Sequence, residues 1–264
     1  MILLKIIDFH THIYPDKIAE RATEAIGKFY DIEMDRVGSL DALLSCSERA
    51  GIERCVVHSV ATSPQQVERI NDFIYSSVSA HPDRLSGFGT MHQDYENKLP
   101  EVERCLKMGL KGIKLHPDTQ MFNADDPRML EVYDYLQDKA PVLFHCGDYR
   151  YDYSHPRRIA NICKMFPRLQ VIGAHFGGYS VWEEAYEYLK PLDCMMDTSS
   201  SSALMEGGMF ERMIKAYGAD RLLFGTDFPM WDSEEELRRF MSVPLSEDER
   251  EKILYKNAEK ILKI

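Results

Sequence analysis

The 264-residue sequence has no C-x-x-C pair, no Gly-rich turn after its first apolar run, no uninterrupted apolar stretch of membrane length and no basic excess. Each absence removes a class of function. Without paired cysteines, a zinc knuckle or redox dithiol is excluded; Cys46, Cys55, Cys105, Cys146, Cys163 and Cys194 read as reduced thiols, most of them in the core, and point to a cytoplasmic setting. Without a G-x-G-x-x-G turn, the chain lacks the sign of a dinucleotide fold. A formal net charge of −11 argues against nucleic acid, whose binders show clustered basic residues, and favours a small-molecule substrate. No segment is long enough to span a bilayer, and the opening MILLKII is too short for a secretory apolar region and lacks a small-residue cleavage site. With 15 Gly and 12 Pro spread along the chain, no linker divides it, so a single domain over 1–264 is expected.

What the sequence does have is alternation. Short runs of apolar and β-branched residues, each followed by an amphipathic stretch, recur eight times: 5–10, 54–60, 85–89, 112–116, 142–145, 170–175, 194–198 and 221–226. The runs are apolar throughout and do not alternate with polar residues, as suits parallel strands covered on both faces. The pattern predicts an α/β fold, a closed (β/α)8 TIM barrel. Leu40, Leu43 and Leu44, or Ile159, Ile162 and Met165, mark helix faces between strands. Ser39 and Ser246 are candidate helix caps, while Gly51, Gly109 and Gly218 stand where helices should stop. A last helix is expected over about 246–262, and the longest loops over 30–38 and 148–155.

The ends of the runs carry the chemistry. Four finish on histidine, in DFHTH, KLHP, LFHCGD and GAHFGG, and another on aspartate in FGTDFP. In a barrel of this kind the carboxyl ends of all strands converge on one face, where active sites are kept. His10 and His12 are two apart, so on a strand both face one side and can grip one ion. Imidazoles and carboxylates are the usual donors to catalytic zinc, and His145 and Asp227 complete a set of four. Manganese, iron and cobalt accept the same donors.

These motifs, DFHTH at 8–12, HCGD at 145–148, AHFGG at 174–178 and GTDFP at 225–229, resemble the amidohydrolase superfamily. The resemblance spans the chain and is to the amidohydrolase-related branch that includes aminocarboxymuconate semialdehyde decarboxylase. It implies one divalent ion, zinc by ligand type, held by His10, His12, His145 and Asp227. It also implies a catalytic role for His175 beside the ion, with Asp227 both binding the metal and accepting a proton from activated water. Asp8 is expected to support the H-x-H pair by hydrogen bonding.

Lys114 occupies the position where binuclear members carry a bridging carboxylated lysine, but His116 on the same strand face would crowd a second ion. Lys114, His116 and Arg150, the last in the aromatic and basic loop DYRYDY, are therefore read as substrate-side groups for a carboxylate. Met230 and Trp231, just past Asp227, are candidates for an apolar wall. Metal-dependent hydrolysis of a small carboxylated molecule is the first reading. Nonoxidative decarboxylation of a small unsaturated or aromatic acid is the alternative, since the same ligands serve both. A homodimer is expected from the frequency of such assemblies among soluble enzymes.

Overall fold

The computed structural model describes residues 4–264; the first three residues of the MILLKII run lie outside them. Among the described residues there are nine short strands: β1 (Ile7–His12), β2 (Arg54–His58), β3 (Leu85–Gly87), β4 (Gly89–Thr90), β5 (Ile113–Leu115), β6 (Val142–Phe144), β7 (Val171–Gly173), β8 (Met195–Asp197) and β9 (Leu222–Leu223). Each predicted run meets a strand; β1 continues two residues past the first run to His12, and the third run is divided in two at Phe88, with β4 ending one residue beyond it at Thr90. The chain forms two compact units, one of the described residues up to His58 with Ser77–Ser86 and Thr198–Ile264, the other of Ser59–Ser76 and Gly87–Asp197.

In the first unit β1 and β2 pair in parallel, Ile7 opposite Arg54 and His12 opposite His58. The register shifts between Asp8 and Thr11, so β1 takes up one extra residue beside its histidines, a device that re-aims side chains. On its other side β1 is followed by the chain leaving β9: Phe9 N–H donates to the Phe224 carbonyl at 2.8 Å, Asp227 N–H to His10 at 2.9 Å, and His12 N–H to Phe228 at 2.7 Å. The main chain thus carries Asp227 alongside the H-x-H pair. Helices behind this edge begin on side-chain caps: Ser39 accepts from Ala42 N–H, Asp232 from Glu234 and Glu235, and Ser246 forms a reciprocal box with Glu249. The loop over 31–38 is tied to the chain beyond Asp227, Asp35 N–H reaching the Met230 carbonyl and Arg36 N–H that of Pro229.

In the second unit β4, β5, β6, β7 and β8 follow one another in order, and each adjacent pair is parallel. Ile113, Leu115, Val142, Leu143, Phe144, Val171, Ile172 and Met196 are fully buried. At about 1.5–3 kcal/mol for each large side chain taken from water, this apolar centre explains why the runs show no polar alternation. The helix Lys98–Met108 stops at Gly109, which adopts φ 97°, a conformation that favours glycine.

Three expectations are corrected. The runs over 112–116, 142–145 and 170–175 do not finish on histidine within the ladder: His116, His145 and His175 stand just beyond the last paired residue, where the backbone turns away and frees the side chain. Gly51 follows the C-cap Ala50 with φ 70°, at the helix end where it is expected. Met165 does not share the buried face of Ile159 and Ile162 but is 46% exposed, because its helix ends there. The closing segment is α-helical over Glu247–Glu251 and Asn257–Leu262 but widens to a π-turn over Lys252–Lys256. All six cysteines are free, Cys163 alone being incompletely buried. No helix among the described residues is long and apolar enough to cross a membrane.

Candidate active site

The first unit gathers His10, His12 and Asp227. The two imidazole Nε2 atoms lie 3.2 Å apart, and Asp227 Oδ1 is 3.3 Å from that of His10 and 3.4 Å from that of His12. These three atoms form a near-equilateral triangle whose corners lie about 1.9 Å from its centre, just inside the ~2.0–2.2 Å at which zinc takes nitrogen and carboxylate donors. His10, His12 and Asp227 would hold one divalent metal, and the donor set fits it in both chemistry and spacing.

Hydrogen bonds hold the His10 and Asp227 corners. The Nδ1 of His10 meets Ser199 Oγ at 3.0 Å, which leaves Nε2 for the triangle. The Oδ2 of Asp227 accepts from the Ser200 hydroxyl at 2.6 Å, which leaves Oδ1. Asp8, fully buried, accepts from His10 N–H at 3.2 Å, Thr226 N–H at 3.0 Å and the Thr226 hydroxyl at 2.6 Å, bracing β1 against the segment that presents Asp227. Gly225 is required there by space: a Cβ on it would stand 2.9 Å from the His10 Cβ. Asp227 itself has φ 63°, a left-handed conformation costing a non-glycine residue roughly 1–3 kcal/mol, of the kind found at sites where geometry outranks stability.

Sequence reasoning missed two neighbours of this triangle. His58, at the end of β2, is buried with its ring edge-on to His10 and His12, centroids 4.8 and 4.4 Å away, and with them forms a three-imidazole group able to hold a metal. Its signal was present, since RCVVH also ends in histidine, but the run was drawn past it to Val60. Tyr14 follows two residues after His12, and burial together with the charge of Asp227 raises its phenol above the ordinary range, so it remains a donor.

The second unit gathers His116, His145 and His175. His145 is stacked on His116 at a centroid distance of 3.9 Å, its Nδ1 lies 3.0 Å from His175 Nε2, and its Nε2 is 3.5 Å from Asp118 Oδ2. His116, Asp118 and His145 form another metal-capable group. Burial pushes the Asp118 carboxyl up to about 7, with the charge of Asp148 adding to the rise and hydrogen bonds from Ser154 opposing it. The Ser154 hydroxyl donates to Asp118 at 2.5 Å and so ties the end of the 148–155 loop to this group. Asp118 was missed because KLHPD was read only as far as its histidine. His175 opens a tight turn with φ 58°, its N–H donating to Asp197 at 3.0 Å and its carbonyl accepting from the Trp182 indole at 3.1 Å. Lys114 is fully buried on β5. Arg150 is engaged within its own loop, bonding both Asp148 oxygens, the closest at 2.6 Å.

Met230 and Trp231 lie beside the first cluster, and Trp231 makes a polar contact there: its indole N–H reaches Ser200 Oγ at 2.9 Å.

Comparison with known proteins gives these clusters a lineage. The family model described as amidohydrolase matches residues 7–264, and the chain belongs to that family. It is an enzyme of the amidohydrolase superfamily, and its similarities are consistent with the amidohydrolase-related branch that includes aminocarboxymuconate semialdehyde decarboxylase. A curated relative, gamma-resorcylate decarboxylase of Polaromonas sp., is 25% identical over 284 residues, covering 88% of this chain and 85% of its own length. Among solved structures, a TIM-barrel protein from Bordetella bronchiseptica superposes with a TM-score of 0.79 at 23% identity, over 98% of this chain and 99% of that one. The 5-carboxyvanillate decarboxylase of Novosphingobium aromaticivorans, complexed with manganese and 4-hydroxy-3-methoxy-5-nitrobenzoic acid, does so with 0.78 at 17% identity, over 98% and 96%. The fold is the (β/α)8 barrel expected from the alternating runs.

Proposed function

We propose that the chain is a metal-dependent nonoxidative decarboxylase of a small aromatic or unsaturated acid. The reading rests on kinship: the curated relative that matches along most of the chain is a decarboxylase. This reverses the order drawn from the ligand pattern alone, in which hydrolysis came first, because H-x-H, histidine and aspartate describe how an ion is held and are silent on which bond is broken.

In this proposal His10, His12 and Asp227 hold one divalent ion, with His145 as the fourth donor carried over from the family. Zinc is the choice by ligand type, and manganese is named in the structure of a relative. The ion supplies positive charge that draws electron density from substrate oxygens. Decarboxylation then needs a proton placed on the ring carbon that bears the carboxylate; the C–C bond breaks, carbon dioxide departs, and the electron pair that held it restores the ring. His175 and Asp227 are the groups assigned to proton handling. Lys114, His116 and Arg150 are assigned to the substrate carboxylate, Arg150 least, because Asp148 already neutralises it.

The test is carbon dioxide release from 2,6-dihydroxybenzoate, 5-carboxyvanillate and related acids by protein loaded with manganese or zinc. Turnover that disappears on chelation is the expected result. Hydrolysis of lactones or amides with no carbon dioxide from any acid overturns the reading.

A further inference from the structure

We infer that Trp231, Ser200 and Asp227 form a one-way hydrogen-bond chain that fixes Asp227 as a single-oxygen metal ligand, which makes Ser200 a positioning residue of the metal centre. The inference rests on the metal reading above and deepens it.

Direction follows from donor inventory. An indole nitrogen can only donate, and Trp231 Nε1 lies 2.9 Å from Ser200 Oγ, so the hydroxyl oxygen receives that hydrogen and must send its own elsewhere. Its acceptors are Asp227 Oδ2 at 2.6 Å and the Met230 sulfur at 3.6 Å. A thioether is a weak acceptor, while 2.6 Å is the length of a charge-assisted bond from a hydroxyl to a carboxylate, so the hydrogen lies on Oδ2. That bond turns Oδ2 toward Ser200 and draws on its charge. Oδ1, 3.3 and 3.4 Å from the two imidazoles, is the oxygen presented to an ion.

Backbone conformation supports the same assignment. Ser200 is fully buried and holds φ 56°, where glycine is the residue favoured on steric grounds. A glycine there would relieve strain but lose the hydroxyl. Ser199, its neighbour, accepts the Nδ1–H of His10 on its hydroxyl oxygen at 3.0 Å, the tautomer that keeps Nε2 open to an ion, so one turn after β8 orients two corners of the triangle.

The experiment uses the full chain, wild type beside Ser200→Gly, Ser200→Ala and Trp231→Phe. Metal affinity is read by chelator competition, and ligand geometry by the visible spectrum of the cobalt(II) form. Thermal unfolding of metal-free protein separates misfolding from loss of the ligand. Ser200→Gly is expected to unfold no earlier than wild type yet bind metal about 10–100-fold more weakly, as expected when a ligand's hydrogen-bond support is removed. Its cobalt absorption should weaken as the freed carboxylate grips with both oxygens and the coordination number rises. Ser200→Ala should lose affinity to the same extent while keeping the strain, and Trp231→Phe should lose a few-fold. If Ser200→Gly binds with wild-type affinity and an unchanged cobalt spectrum, the positioning role is overturned while the metal reading stands. A wild-type chain that binds no cobalt overturns both.

Discussion

The two histidine clusters are braced differently. In the first unit the ligand-facing atoms of His10 and Asp227 are selected by hydroxyl groups at the far end of each side chain, Ser199 on His10 and Ser200 on Asp227, with Asp8 bracing the strand beneath. In the second unit His145 leans on other members of its own cluster: it is stacked on His116, its Nδ1 lies 3.0 Å from His175 Nε2, and the Asp118 carboxylate is 3.5 Å from its Nε2. Partners outside a cluster fix the direction of each ligand, whereas members bonded to one another can turn together. The first cluster is therefore built to hold a charge in one geometry, and the second to adjust.

That contrast can be broken by substitution. The largest effect is expected from Asp227→Asn, which keeps shape but removes the charged corner of the triangle; turnover should fall on the order of a thousandfold or more with unfolding unchanged. A variant retaining a tenth of wild-type carbon dioxide release would show that the first cluster is not the centre. Next comes Asp8→Ala, which leaves the buried Thr226 hydroxyl and two N–H groups without their acceptor. Metal affinity should drop about 10–100-fold, and stability by roughly 1–3 kcal/mol in chemical denaturation. In the adjustable cluster, Asp118→Asn keeps one oxygen for the Ser154 donor, and a loss of under about tenfold in kcat/KM is expected. An effect as large as that of Asp8→Ala would erase the distinction.

The smallest effect on turnover belongs to Glu236, behind the first cluster, whose substitution is read in stability. Burial pushes its carboxyl up to about 7, with the Ser202 hydroxyl and Arg239 opposing the shift and Asp227 adding to it. The folded chain therefore binds a proton that the unfolded chain releases from about pH 4.5 upward, so this group's contribution weakens as pH rises through that window and levels off above about 7. Glu236→Gln should gain stability relative to wild type between pH 5 and 8, by roughly 3 kcal/mol at most. A relative loss over the same range would mean that the Arg239 ion pair outweighs burial.

Much of this was legible in advance. Continuous apolar runs gave the strands, and the pairing of His10 with His12 followed from a two-residue spacing that strand geometry turns into proximity. Ser199, Ser200 and Asp118 were not legible, because their roles depend on φ and on partners far along the chain: Ser200 sits among four consecutive serines, and only a left-handed backbone aims its hydroxyl at Asp227. The π-turn was hidden for a related reason. Its residues have ordinary helical composition, and the wider winding is visible only in which carbonyl is left over.

That leftover carbonyl has a consequence. Ile253, inside the wide turn, accepts the Phe224 N–H at 2.9 Å, and Phe224 is three residues ahead of Asp227. The segment bearing the acidic ligand is thus latched from a helix near the chain's far end, with Asn257 adding bonds to the Ala219 and Leu222 carbonyls, both at 2.8 Å. Trimming the protein back from residue 264 past this latch should release the ligand before it unravels the barrel, yielding chains that still fold yet no longer retain an ion.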